Sequence, residues 1–184
     1  MSIRIYGNRE LKTLPGMETR PTLAKVREAL FNVWQGSIAD CRWLDLCSGS
    51  GAMGAEALCR GASLVVGIES LIPACDLIEQ NWAKYADTSQ QFRLLRGDVV
   101  KKIALLSGQQ FDRIYFDPPY SSNLYIPVLE AIDQFNLLTP SGEIAVEHSP
   151  YSRLSTLPQS LTNLELCRQK VYGKSALSFY SLPT

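Results

Sequence analysis

Asp117, Pro118, Pro119 and Tyr120 follow one another in the chain, and together they suit one chemical problem. An amino group on an aromatic base is a poor nucleophile, because its lone pair is delocalised into the ring. Two acceptors placed on its two N–H bonds hold the nitrogen closer to tetrahedral. The Asp117 carboxylate supplies one acceptor and the Pro118 carbonyl the other. Proline fixes φ and carries no N–H, so carbonyls in such a segment are left free to face a ligand. Tyr120 offers a ring on which a base can stack, worth roughly 1–3 kcal/mol. The reaction these four residues suit is in-line transfer of a methyl group to that nitrogen, in which alignment and charge placement carry the rate. The proton released goes to Asp117 or to water, and no metal is needed. A base inside a duplex cannot enter such a site, so the target must be unpaired or flipped out.

A second constellation could hold the methyl donor. Asp45 to Gly54 has the form D-x-x-x-G-x-G-x-x-G, with Gly49, Ser50, Gly51 and Gly54 in the loop. Glycines there allow a tight turn after a strand and close approach of backbone to ligand. The same spacing serves dinucleotides, so the loop alone is only moderately specific. Glu69 lies twenty residues beyond Gly49, where a carboxylate can accept both ribose hydroxyls of a nucleoside. Asp98, followed by Val99, can accept from an adenine amino group, and Asp45 can face an ammonium. Three acids, and no lysine to grip a pyrophosphate, favour the cationic sulfonium cofactor S-adenosylmethionine over a dinucleotide.

These residues require a scaffold of alternating strands and helices. Apolar runs at 42–46, 64–69, 92–95, 111–116 and 143–147 predict five strands. Helical periodicity follows Arg20-Pro21-Thr22, with Thr22 as N-cap and Leu23, Val26, Leu30, Val33 and Trp34 at helical spacing. Further helices are predicted from the glycine loop to about residue 60, at 71–84, briefly after Asp98, and at 124–135. Segments 164–171 and 176–182 flank Tyr172-Gly173-Lys174-Ser175, the mark of a hairpin. The fold expected is α/β with a mostly parallel sheet ending in an antiparallel pair.

At 184 residues, with 46% hydrophobic and 20% charged content, the chain suits a single soluble domain over 1–184. No apolar run is long enough for a membrane span and the N-terminus lacks a signal core, so a cytoplasmic protein is expected. Five cysteines without a C-x-x-C pair and a single histidine, His148, argue against a disulfide framework, a zinc site or two-histidine chemistry. Net charge is zero, but the ends, 1–30 and 151–184, are basic and the middle is acidic. That distribution fits a small-molecule site beside a docked polyanion. Without a long apolar surface stripe, a monomer is expected.

Beyond these motifs, Arg20-Pro21-Thr22, the run Val26-Arg27-Glu28-Ala29-Leu30-Phe31-Asn32, Glu147-His148 and the terminal 172–180 segment give a resemblance over nearly the whole chain. It resembles the bacterial methyltransferases that modify guanine N2 in 16S rRNA of the small ribosomal subunit. The resemblance implies a Rossmann-like class I methyltransferase sheet of seven strands, the last antiparallel. It implies a loop guanine as target, in an assembled or assembling small subunit. It places Arg20, Thr22 and Arg27 near the cofactor or the RNA mouth, and makes the basic extension 1–20, with Arg4, Arg9 and Lys12, an RNA contact. The chain departs from the family in the sparseness of that basic segment and in Cys47-Ser48, where Phe-Ala is usual.

Three rival readings remain at this level. A DNA adenine-N6 methyltransferase shares the amine chemistry but usually carries a target-recognition domain. An NAD-dependent oxidoreductase would use the glycine loop and leave Asp117–Tyr120 without a task. A non-catalytic RNA-binding protein would have no need of those four residues.

Overall fold

A computed structural model describes residues 2–15, 21–151 and 157–183, and of 21–23 the backbone alone. Alternation along the strands explains its layers. In β3 (Arg42–Leu46), β4 (Leu64–Glu69), β6 (Phe111–Phe116) and β7 (Leu138–His148), successive side chains point to opposite faces. Trp43, Val65, Tyr115 and Ala145 enter one apolar cluster, whereas Leu44, Val66, Ile114 and Ile144 enter another. The first cluster is roofed by α1 (Pro21–Val33), α2 (Ala52–Cys59) and α3 (Ile72–Tyr85), the second by α4 (Val99–Ile103) and α5 (Tyr125–Gln134). The result is a sheet with helices on both faces.

With β5 (Gln91–Arg96), β8 (Glu165–Tyr172) and β9 (Ser175–Ser181), the sheet has seven strands in the order β5-β4-β3-β6-β7-β9-β8. The five strands from β3 to β7 are parallel, and β9 runs antiparallel to both its neighbours. The Rossmann-like methyltransferase sheet expected from the sequence, with its closing hairpin, is the one observed. After β3 the chain moves outward to β5 and then returns to place β6 on the other side of β3. Ligands of open α/β sheets bind beyond the carboxyl ends of strands at such a reversal.

Strands β3, β4 and β6 have the bounds the apolar runs predict. β7 begins five residues earlier than expected, at Leu138 rather than Glu143. Its Thr139-Pro140-Ser141-Gly142 stretch has turn composition but is carried as an irregularity, with Phe111 opposite Leu138 and Arg113 opposite Glu143.

The N-terminal extension also holds structure that the sequence reading did not assign. β1 (Ser2–Ile5) and β2 (Arg9–Lys12) form an antiparallel hairpin. Gly7 and Asn8 turn it with φ of 68° and 59°, the left-handed region that these residue types tolerate best. Ile3, Ile5 and Leu11 bury themselves in the first apolar cluster. The Asn81 side chain mimics a strand neighbour, donating to the Lys12 carbonyl at 2.9 Å and accepting from the Lys12 N–H at 3.2 Å. Arg27 completes the docking. Its guanidinium donates to Glu56 at 2.8 Å and to the Arg4 carbonyl at 2.6 Å, and the residue is 8% exposed. The expectation that Arg27 meets RNA therefore gives way to a buried strut between hairpin and α2, because Glu56 inside the fold needs a cation.

The glycine loop is held by packing. Trp82 of α3 is fully buried, and its indole N–H donates to the Gly51 carbonyl at 2.8 Å. A Cβ on Gly54 would lie 2.4 Å from the Trp82 ring. Glycine to alanine inside a helix ordinarily stabilises by about 1 kcal/mol. Here the sign should reverse, with Gly54→Ala costing about 1–3 kcal/mol by overpacking. Urea unfolding checks this, and a raised midpoint would show that Trp82 is free to move.

Candidate active site

The loops at the carboxyl edge of the sheet enclose a cavity of about 580 Å³. Its first wall comes from the turns after β3, β4 and β5. The chain leaves β3 through Cys47, Gly49 and Gly51 with φ of 63°, 55° and 72°, and this curls the backbone under the cavity. Ser48 fixes the curl, its hydroxyl donating to the Asp45 carbonyl at 2.9 Å. The Gly49 N–H donates to Glu69 Oε2 at 2.7 Å, while Glu69 Oε1 accepts from the N–H groups of Ser70 and Leu71 at 2.8 Å each. Glu69 thus staples two adjacent loops together. Asp98 caps α4, accepting from the Lys101 N–H at 3.0 Å through Oδ1.

Gly49, Glu69, Asp98 and Val99 line the cavity; Asp45, Ser50, Gly51 and Gly54 do not. Asp45 points to the α2 side of the sheet, is 1% exposed, and accepts from the Gly54 N–H at 3.1 Å. It lies beneath the loop rather than facing a ligand ammonium across open space. Burial, with a further push from Glu69, raises its carboxyl to about 7.

The second wall comes from the turn after β6. Asp117, Pro118, Pro119 and Tyr120 all line the cavity. The Asp117 N–H donates to the Leu46 carbonyl at 3.3 Å, so the two sequence motifs meet across adjacent strand ends. Burial raises the Asp117 carboxyl well above the ordinary range, and the nearby Glu147 and Asp45 carboxylates raise it further. Tyr120 is fixed at its tip. Its hydroxyl donates to Glu147 Oε1 at 2.8 Å and lies 2.7 Å from the Ser175 hydroxyl. Burial and the adjacent Glu147 raise its phenol above the usual range.

Glu147, the penultimate residue of β7, is 1% exposed and also accepts from Tyr115 at 2.6 Å. The sequence marks the Glu147-His148 pair without giving it a role. In the structure, Glu147 anchors the tyrosine of the second wall. His148 does not line the cavity; its Nε2 lies 2.9 Å from the Ser178 hydroxyl and 3.2 Å from the Gln169 amide.

Cys47, Ile68 and Leu124 add apolar lining, and Lys174 brings a cation to it; none was anticipated as a site residue. Lys174 was legible only as part of a turn, and Trp82 only as an apolar helix position. Arg4, Arg9 and Lys12 are exposed on the hairpin and are not part of the cavity wall. Arg20 and the Thr22 side chain lie outside the described residues. Among the described residues no group of three His, Cys, Asp or Glu side chains is placed to hold a metal, and no helix is long and apolar enough to cross a membrane.

Residues 3–181 match the family described as conserved hypothetical protein 95. The chain is 30% identical over 182 residues to Escherichia coli K12 ribosomal RNA small subunit methyltransferase D, covering 97% of this chain and 89% of the relative. The Haemophilus influenzae protein of the same name is 28% identical over 177 residues, with 96% and 90% covered. The solved structure of Escherichia coli yhhF superposes with a TM-score of 0.83 at 30% identity, covering 100% and 99% of the two chains.

The raised Asp45 carboxyl has a consequence for stability. Between the ordinary value of 3.8 and about 7, the folded chain holds a proton that the unfolded chain has lost. This contribution is therefore fully present below about pH 4 and disappears as pH rises through 7. Asp45→Asn should match the parent protein near pH 4 and gain on the order of a few kcal/mol relative to it by pH 8. Denaturant unfolding of the unliganded protein across that range checks the sign. Parallel profiles would show that Asp45 titrates normally.

Proposed function

This chain belongs to the conserved hypothetical protein 95 family, and from that premise we propose that it methylates the exocyclic N2 of a guanine in 16S rRNA, using S-adenosylmethionine. The observation that carries the reading is the shared cavity: the Asp117–Tyr120 turn and the Gly49–Glu69–Asp98 wall face the same space. The relatives named ribosomal RNA small subunit methyltransferase D support the choice of substrate. In this reading the protein acts in the cytoplasm as a monomer, on the small subunit or an assembly intermediate.

The residues present fit the cofactor. Glu69 retains acceptor capacity on Oε2 and Asp98 on Oδ2, since a carboxylate offers about four lone-pair sites. Both suit hydroxyl and amino donors of a nucleoside. S-adenosylmethionine, when bound, supplies an electrophilic methyl group on a positively charged sulfur. The acids that line the cavity, Glu69, Asp98 and Asp117, complement a cation.

The protein's own part in the reaction is positional. The Asp117 carboxylate and the Pro118 carbonyl accept from the two N–H bonds of the base amine, drawing its lone pair out of the ring. Tyr120, held at its hydroxyl, presents a ring to the base. With its donor bound, the amine lone pair held by Asp117 and Pro118 would form the new C–N bond as the C–S bond breaks, the C–S pair staying with sulfur. The resulting ammonium gives its proton to Asp117 or to water. A carboxyl whose pKa is raised by burial and by neighbouring acids is a better base once ionised, and a cationic ligand nearby favours that ionised form. An oxidoreductase reading has less support, because His148, the chain's one imidazole, is engaged with Ser178 and Gln169 away from the cavity.

Incubation with methyl-labelled S-adenosylmethionine and unmodified small subunits, naked 16S RNA or duplex DNA tests the substrate. Label is expected in RNA, as N2-methylguanine on nucleoside analysis; label confined to DNA defeats the reading. Asp117→Ala should lower transfer by about a hundredfold or more, while cofactor affinity measured by calorimetry stays within about tenfold. Equal loss of both would make Asp117 a wall of the cofactor site rather than a partner of the amine.

A further inference from the structure

The Tyr172-Gly173-Lys174-Ser175 turn is not used by the mechanism above, yet the topology brings it to the site. β9 runs antiparallel to β7, with Ala176 opposite His148. The turn entering β9 therefore sits at the same sheet edge as the loops after β3, β4 and β6. Gly173, with φ of 63°, closes the turn, and Ser175 at its end is 4% exposed. The Ser175 hydroxyl meets Tyr120, which in turn is held by the buried Glu147. This chain of contacts locks the turn to the ring that faces the base.

Lys174 lines the cavity and is itself exposed. Among the described lining residues, which include Glu69, Asp98 and Asp117, it is the one cationic side chain. Charge makes that position consequential. A nucleotide entering an acidic cavity brings its base inside, while the phosphates on either side stay at the rim and are repelled by the acids. A lysine there, with three donors on a flexible stem, offsets the repulsion.

We propose that Lys174 grips a backbone phosphodiester of the substrate strand adjacent to the inserted base, held in register by the Ser175–Tyr120–Glu147 contacts. This rests on the methyl-transfer reading and adds a substrate contact to it.

The test compares the full chain with Lys174→Gln, Lys174→Arg and Lys170→Gln, the last removing an equal charge from the exposed face of β8. The substrate is the unmodified RNA or particle that the parent protein labels. Lys174→Gln should raise KM for the RNA roughly three- to tenfold and make the salt dependence of RNA binding shallower by about 0.7 in the log–log slope. Lys174→Arg should restore most of both. Cofactor affinity by calorimetry should stay with that of the parent protein, and Lys170→Gln should change neither KM nor slope appreciably. An unchanged KM and slope in Lys174→Gln overturns the proposal. So does an equal effect from Lys170→Gln, which would mean diffuse charge, or a parallel loss of cofactor affinity, which would put Lys174 on the donor. If the parent protein labels no RNA, the methyl-transfer reading itself falls, and that shows before any variant is made.

Discussion

One backbone hydrogen bond, from the Asp117 N–H to the Leu46 carbonyl, sets the spacing on which the site depends. It continues the parallel ladder of β3 and β6 one step past Leu46 and Phe116, beyond the point where both chains turn away. The turn of one strand carries the glycine loop, and the turn of the other carries Asp-Pro-Pro-Tyr. Parallel neighbours are fixed about 4.8 Å apart, so the two loops must open on a common space. The reversal of strand order at β3 keeps that space free, because successive connections diverge to opposite faces of the sheet.

Charge imposes the second constraint. Asp45, Asp117 and Glu147 each lie in or beneath the cavity, and none of them makes an ion pair with a cation among the described residues. Burial without a compensating cation makes Asp45 and Asp117 hold their protons more tightly. Elsewhere the fold answers buried acids directly: Glu56 is met by both Arg27 and Arg60 at 2.8 Å. The contrast is informative. At Glu56, away from the cavity, cationic partners are built in. Around the cavity, Asp45, Glu69, Asp98 and Glu147 accept from hydroxyl or amide donors, which hold them in place without neutralising them.

The sequence made the centre of the sheet legible because β3, β4 and β6 are largely buried on both faces, and mostly apolar runs ending at or just before Asp, Glu or Gly mark their bounds. It also made Asp117 to Tyr120 legible, since prolines beside an acid at a strand end have few purely structural uses. The N-terminal hairpin escaped because Ile3, Ile5 and Leu11 make a short alternation punctuated by basic residues. Their charges suggested a loose extension, although Gly7-Asn8 carries a turn signal between apolar positions. Arg27 was misread for a related reason. A helical arginine looks exposed until its buried partner is known, and Glu56 lies twenty-nine positions away. Glu147 and Lys174 could be noticed as motif members but not assigned, since their roles arise only when β9 folds back along β7.

The glycine motif shows why such patterns are shared by unlike ligands. Gly54 does not touch the cavity; it admits the Trp82 ring where α2 crosses α3. Gly67, on β4, meets the same ring, with a built Cβ only 2.5 Å from it. Part of the G-x-G-x-x-G signature therefore records how closely a helix must approach its neighbours after the first strand, whatever nucleoside lies beyond. Discrimination falls to positions the motif omits. Glu69 and Asp98 set the polarity of one wall, and the turn after β6 sets the chemistry of the other. In this chain the loop answers first to packing against Trp82 and the sheet, and the acids at the neighbouring strand ends, Glu69 and Asp98, give the cavity wall its polarity.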